Sequence, residues 1–151
     1  MLTEQTVENL VNRYIDVSFS VTKKAEAMIT AQIGSDLTPD QHYILRYINR
    51  VGSCTSTELA EVFEVNKSAI TAIITRLWEK GFIQRTRDEN DRRVVYLTLT
   101  EKGTQYFKNT EERIHHLVRQ FITKFDQQEI NQFIDSFEKL NKVLIELKEQ
   151  K

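Results

Sequence analysis

The sequence predicts a mainly α-helical protein with one small β-hairpin, an α+β chain forming a single domain over residues 1–151. Three observations predict it. One Pro and four Gly in 151 residues leave little material for a loop-rich or all-β fold. Apolar residues recur at three- and four-residue steps along most of the chain, the period of amphipathic helices. That period breaks once, between residues 82 and 99, where two β-branched and aromatic runs flank a polar hexapeptide.

The elements follow in order. Across residues 5–29, Val7, Leu10, Val11, Tyr14, Val17, Val21, Ala25 and Met28 share one face of a long helix. Thr38-Pro39-Asp40-Gln41 reads as an N-cap, a Pro at the first helical position and a capping-box Gln. The helix so opened carries Tyr43, Ile44, Tyr47 and Ile48 and stops at Gly52. Thr55-Ser56-Thr57-Glu58 is a second capping box, opening a short helix with Leu59, Ala60 and Phe63 inward. After a break of about three residues, Asn66 caps a helix from Lys67 to Lys80 with an apolar stripe of Ile70, Ile73, Ile74 and Leu77. Gly81 ends it. Strands over 82–87 and 94–99 then flank the turn Asp88–Arg93. Thr100 caps a helix bearing Phe107, Ile114, Leu117, Val118, Phe121 and Ile122 on one side. Asp126 opens the last helix, with Ile130, Phe133, Ile134, Phe137, Leu140, Leu144 and Leu147. Trp78, Phe121, Phe125, Phe133 and Phe137 are expected in the core.

Two short helices, a strand, a basic-tipped turn and a return strand make a winged helix-turn-helix. Its expected partner is double-stranded DNA. The net charge is only −1, but residues 66–93 hold seven Lys and Arg against four Asp and Glu, a local excess of +3. The second helix of the motif turns Asn66, Lys67, Ser68, Thr71, Ala72, Thr75 and Arg76 away from its apolar stripe. Hydroxyls bond base edges or phosphates, and Ala suits a thymine methyl. The wing candidates are Arg87, Asp91, Arg92 and Arg93. Arg at a hairpin tip suits a narrow minor groove.

At these residues the sequence resembles the multiple-antibiotic-resistance regulator (MarR) family. The run Asp88–Gly103 matches its pattern of an acidic wing with D-x-R, a strand and L-T-x-x-G, here Asp91, Arg93, Leu99, Thr100 and Gly103. The D-x-R resemblance implies that Arg93 enters the minor groove, with Asp91 expected to orient it through a charge-assisted hydrogen bond. Thr57–Ala60, Leu77–Arg85 and Leu37–Gln41 resemble other stretches of the family, and Glu89 stands where a Pro is common. The resemblance implies a homodimeric transcription regulator, a repressor in type. Its terminal regions, 1–34 and 103–151, would dimerise, while a winged lobe over 37–100 binds half of a palindrome. A phenolic or drug-like effector would release it. The residues point the same way to a dimer. Val7, Leu10, Phe133, Phe137, Leu140, Leu144 and Leu147 lie on apolar faces longer than one small lobe can cover.

Other chemistries have weaker support. The single Cys54 excludes an intrachain disulfide and a multi-cysteine metal knot. The oxidation-sensing branch of the family has its cysteine in the first helix, where this chain has none. Zinc-sensing relatives suggest His42, Glu111 and His115 as candidate ligands, yet a Glu–His pair four apart is common on a solvated face. No nucleotide-binding Gly loop, H-E-x-x-H or nucleophile motif is present, so neither catalysis nor a cofactor is expected. With no apolar run of about 18 residues and no basic-then-apolar start, no membrane contact is expected and a cytoplasmic location is. The sequence leaves two alternatives open: a winged-helix protein-interaction module without DNA binding, and a redox- or zinc-responsive regulator.

Overall fold

The structure, a computed structural model, describes residues 1–34 and 36–150; Ser35 and Lys151 lie outside the described residues. Its order is α1 Glu4–Ile33, α2 Pro39–Val51, α3 Ser56–Val62, α4 Lys67–Glu79, β1 Ile83–Arg87, β2 Val95–Leu99, α5 Glu101–Ile122 and α6 Gln127–Glu149. By contact the chain divides into two compact units, Met1–Ile114 and His115–Lys151.

Most helix starts follow from short side chains that satisfy orphan N–H groups. Thr38 accepts from Gln41 N, and Gln41 returns the bond to Thr38 N at 3.1 Å, so both halves of that box are formed. Thr55 accepts from Glu58 N, Asn66 from Ala69 N and Asp126 from Glu129 N. Helix α1 runs four residues past the expected end, to Ile33, because its chain stays helical until Gly34 takes φ 84° and donates to Thr30 O. Helix α4 closes at Gly81, φ 78°, with Phe82 N donating to Leu77 O. This closure uses Phe82, so β1 begins one residue later than expected.

The hairpin is antiparallel, pairing Ile83 with Leu99, Arg85 with Leu97 and Arg87 with Val95. A third piece of backbone joins it. Cys54 N donates to Leu97 O at 3.2 Å and Leu97 N to Cys54 O at 2.7 Å, tying the α2–α3 connection to β2.

The core of the first unit lies between the helix-turn-helix and the hairpin. Ile44, Leu45 and Ile48 of α2, Leu59 of α3, Ile70, Ile74 and Leu77 of α4, and Ile83 and Leu97 are buried together with Phe107 of α5. Each such side chain contributes about 1.5–3 kcal/mol on leaving water. Helix α5 is set against β1 by a tight junction. The Thr100 hydroxyl donates to Gly81 O at 2.6 Å and accepts from Gly103 N at 2.9 Å. A Cβ at Gly103 would stand 1.9 Å from the Phe82 carbonyl oxygen. Thus the Thr and Gly of the L-T-x-x-G run are both spent on joining wing to helix.

The two long helices are different. Helix α1 buries only Ile33, and α6 buries no residue. The expectation that Trp78, Phe121, Phe125, Phe133 and Phe137 form a core is wrong for the single chain, since all five are about half exposed. Phe121, Phe133 and Phe137 lie on outward faces of α5 and α6, Phe125 lies in the connection between them, and Trp78 lies on α4 beside Arg85.

Candidate nucleic-acid interface

Helix α4 is two-faced. Ile70, Ile74 and Leu77 point into the core, which leaves Lys67, Ser68, Thr71, Ala72 and Arg76 exposed and Thr75 half-buried. Asn66 starts the helix, and its side-chain oxygen is held by Ala69 N at 2.8 Å. Its oxygen therefore serves the cap, which leaves only its NH2 group for a ligand.

The wing tip is built around two carboxylates. Asp88 accepts from the backbone N–H groups of Asn90 and Asp91, at 3.1 and 2.8 Å, which fixes the turn. Asp91 accepts from Arg93 three times: from the backbone N and from Nε at 3.1 Å, and from Nη2 at 3.3 Å. The Asp91–Arg93 contact that the D-x-R resemblance implied is thus present. The Arg93 bonds hold the Asp91 carboxyl below its ordinary range. The Arg93 side chain remains 91% exposed, so it is aimed without being covered. Arg92 is exposed as well. Arg87 is used within the hairpin, where its Nη1 donates to the Arg92 carbonyl at 2.7 Å and braces the tip.

One residue here escaped the sequence reading. Arg85 of β1 faces α4, with its guanidinium 5.1 Å from the Trp78 ring centre and Nη2 3.4 Å from Thr75 Oγ1. Strand alternation was the available signal, since Arg85 lies two residues from inward Ile83. With Arg87 it borders a depression of about 280 Å³ between α4 and the hairpin, whose other walls include Thr71, Ile74, Val95 and Leu97.

A second polar cluster joins α2 to α5. His42 is fully buried, stacked on Phe107 at 5.4 Å, and its Nε2 lies 3.1 Å from Glu111 Oε2. Arg46 Nε approaches the other Glu111 oxygen at 3.5 Å. Glu111 is thus partly buried and engaged across helices, which corrects its expected place on a solvated face. Of the three candidate zinc ligands, His42 and Glu111 come together, while His115 is exposed. Among the described residues no group of three His, Cys, Asp or Glu is placed to hold a metal.

Burial holds the His42 pKa below 6.5, with Glu111 opposing the shift. A neutral buried imidazole contributes stability that is intact above pH 6.5. The contribution falls as the pH drops below 6.5, where the unfolded chain takes up a proton first, and is lost below the folded value. Urea unfolding at pH 7.5 and 5.5 should show a decrease in wild-type stability that His42→Gln lessens; equal pH dependence in both would refute it. Cys54 is buried, and desolvation raises its thiol to about 11, so at neutral pH it carries almost no reactive thiolate.

The MarR family model matches residues 37–95, from the start of α2 to the return strand. The HTH-type transcriptional regulator YwhA of Bacillus subtilis is 30% identical, over 78% of this chain and 85% of its own length. This chain belongs to the MarR family. The HTH-type transcriptional repressor MdtR of the same organism is also 30% identical, over 70% of this chain and 68% of the relative. In fold, the chain is similar to Streptococcus pneumoniae FabT solved in complex with DNA, with a TM-score of 0.77 and 24% identity over 93% of this chain and 99% of that one. The MarR relatives named here are transcriptional regulators rather than enzymes. No helix among the described residues is long and apolar enough to cross a membrane.

Proposed function

We propose that this MarR-family protein is a homodimeric transcription repressor that binds a palindromic operator in the cytoplasm and is released by a small phenolic or drug-like ligand. Its work is binding rather than catalysis. The observation that carries the reading is the two-part surface of the winged lobe. Helix α4 turns Lys67, Ser68, Thr71, Ala72 and Arg76 outward, and beside it Asp91 holds an exposed Arg93 at the wing tip. A helix of this width fits the major groove, and a fixed guanidinium fits the adjoining minor groove. Residues 37–100 serve as the DNA lobe. Residues 1–34 and 103–151 dimerise through Val7, Leu10, Phe133, Phe137, Leu140, Leu144 and Leu147, six of them exposed and Leu140 half-buried in the single chain. Two-fold pairing of the lobes then matches two half-sites of one operator.

Arg93→Ala tests the wing. Its affinity should fall on every duplex, most where the flanks are A·T-rich and the groove is narrow. The log–log salt slope should decrease by about one unit for the lost charge. Fluorescence anisotropy at several salt concentrations reads both quantities. Unchanged affinity and slope would remove the wing from the interface. A wild-type protein that binds no random duplex at low salt would instead favour a protein-interaction module.

A further inference from the structure

The DNA-binding reading leaves Arg85 without a task. Its placement follows from the strand. Arg85 shares a hairpin face with buried Ile83 and, across the ladder, with buried Leu97. That face lies against α4, so the side chain turns back to the recognition helix. There Nη2 donates to Thr75 Oγ1 at 3.4 Å, and the guanidinium rests on the Trp78 ring at 5.1 Å. Among the described residues no carboxylate pairs with Arg85. Thr75 and Trp78 stand three residues apart on α4, one presenting a hydroxyl and the other a platform. The indole holds the guanidinium, and the guanidinium holds the hydroxyl.

We propose that Arg85 is a positioning residue for base recognition, which fixes the Thr75 hydroxyl as a hydrogen-bond donor toward DNA. A free threonine hydroxyl donates and accepts. Once a cationic N–H occupies one of its lone pairs, the oxygen directs its own proton elsewhere and donates more strongly. In the major groove a donor finds purine N7, guanine O6 and thymine O4; the amino groups of cytosine and adenine can use only the second lone pair, which the adjoining guanidinium makes a poorer acceptor. Thr75 therefore selects acceptor edges at its base and disfavours cytosine. The inference rests on the DNA reading above and names what α4 selects at one position. Trp78 acts one step further back by keeping Arg85 in place.

The experiment uses the full-length protein and the duplex it selects from a randomised pool, then single-base variants of that duplex in anisotropy titrations. Thr75→Val, nearly isosteric, locates the base at which preference is lost. Arg85→Ala and Trp78→Ala should flatten preference at that same base by about fivefold, the worth of one hydrogen bond, with the salt slope unchanged. In the Thr75→Val background Arg85→Ala should add nothing there. Arg85→Lys keeps the charge but not the planar fork, so it too should lose the preference. It also carries the test if Arg85→Ala fails to fold. A uniform loss on all duplexes, a slope lower by about one and rescue by Lys would make Arg85 a phosphate contact and overturn the proposal. Unchanged preference at the Thr75 base in Arg85→Lys would overturn it too. A wild-type protein that selects no sequence would overturn the DNA reading, and this inference with it.

Discussion

Phe137→Asp should leave the protein monomeric at concentrations where the wild-type chain is paired. In the single chain Phe137 is 60% exposed, stacks on Phe133 at 5.5 Å, and is followed along α6 by exposed Leu144 and Leu147. Helix α6 buries nothing of its own, so its apolar face gains most by meeting a second copy. A carboxylate placed there must either stay wet, which opens the contact, or be buried unpaired at a cost of several kcal/mol. The dimer constant should weaken by about a thousandfold or more. Leu144→Asp should act alike. The core of the winged lobe is made of other residues, so helical circular dichroism separates disassembly from unfolding. Sedimentation showing the wild type as a monomer at micromolar concentration would end the dimer proposal.

Gly103→Ala should cost about 3 kcal/mol or more, at the upper end of what overpacking does. The new methyl would meet the Phe82 carbonyl oxygen at 1.9 Å, and its carbon at 2.7 Å. That oxygen also accepts from Thr100 N at 3.0 Å. Neither atom can swing aside as a flexible side chain would, because both are backbone of Phe82, which is held by its N–H on Leu77 O and by Thr100 N on its oxygen. The junction must open, and the wing loses its anchor. A thermal melt should show the drop directly. An unchanged midpoint would mean that the helix start slides away from the strand at no cost.

The two variants mark what the sequence could and could not convey. Local chemistry was legible. The caps at Thr38, Asn66 and Asp126 and the change of period after Gly81 placed helices and strands to within a few residues. The D-x-R resemblance also conveyed the Asp91–Arg93 contact, whose partners are two residues apart. Long-range pairings were not legible. His42 and Glu111 are 69 positions apart, and no local pattern links them. Cys54 joins the hairpin through a single bridge, too short to show a strand period. Periodicity shows that Phe133 and Phe137 need covering, but an apolar face reads alike whether its cover is the same chain or another. Arg85 was missed for a different reason. It entered only the charge count of the basic middle, although strand alternation places it on the face of Ile83.

The Cys54 bridge gives the winged lobe a chemical clock. Its sulfur is sealed, and its backbone is bonded on both sides to Leu97. A thiol-labelling reagent can reach it only when the α2–α3 connection peels from β2, since the closed thiol has too high a pKa to react. The fraction labelled over time therefore counts openings of that seam. DNA or an effector that clamps the lobe should slow the count, and one that loosens it should speed it, with no probe added to the chain.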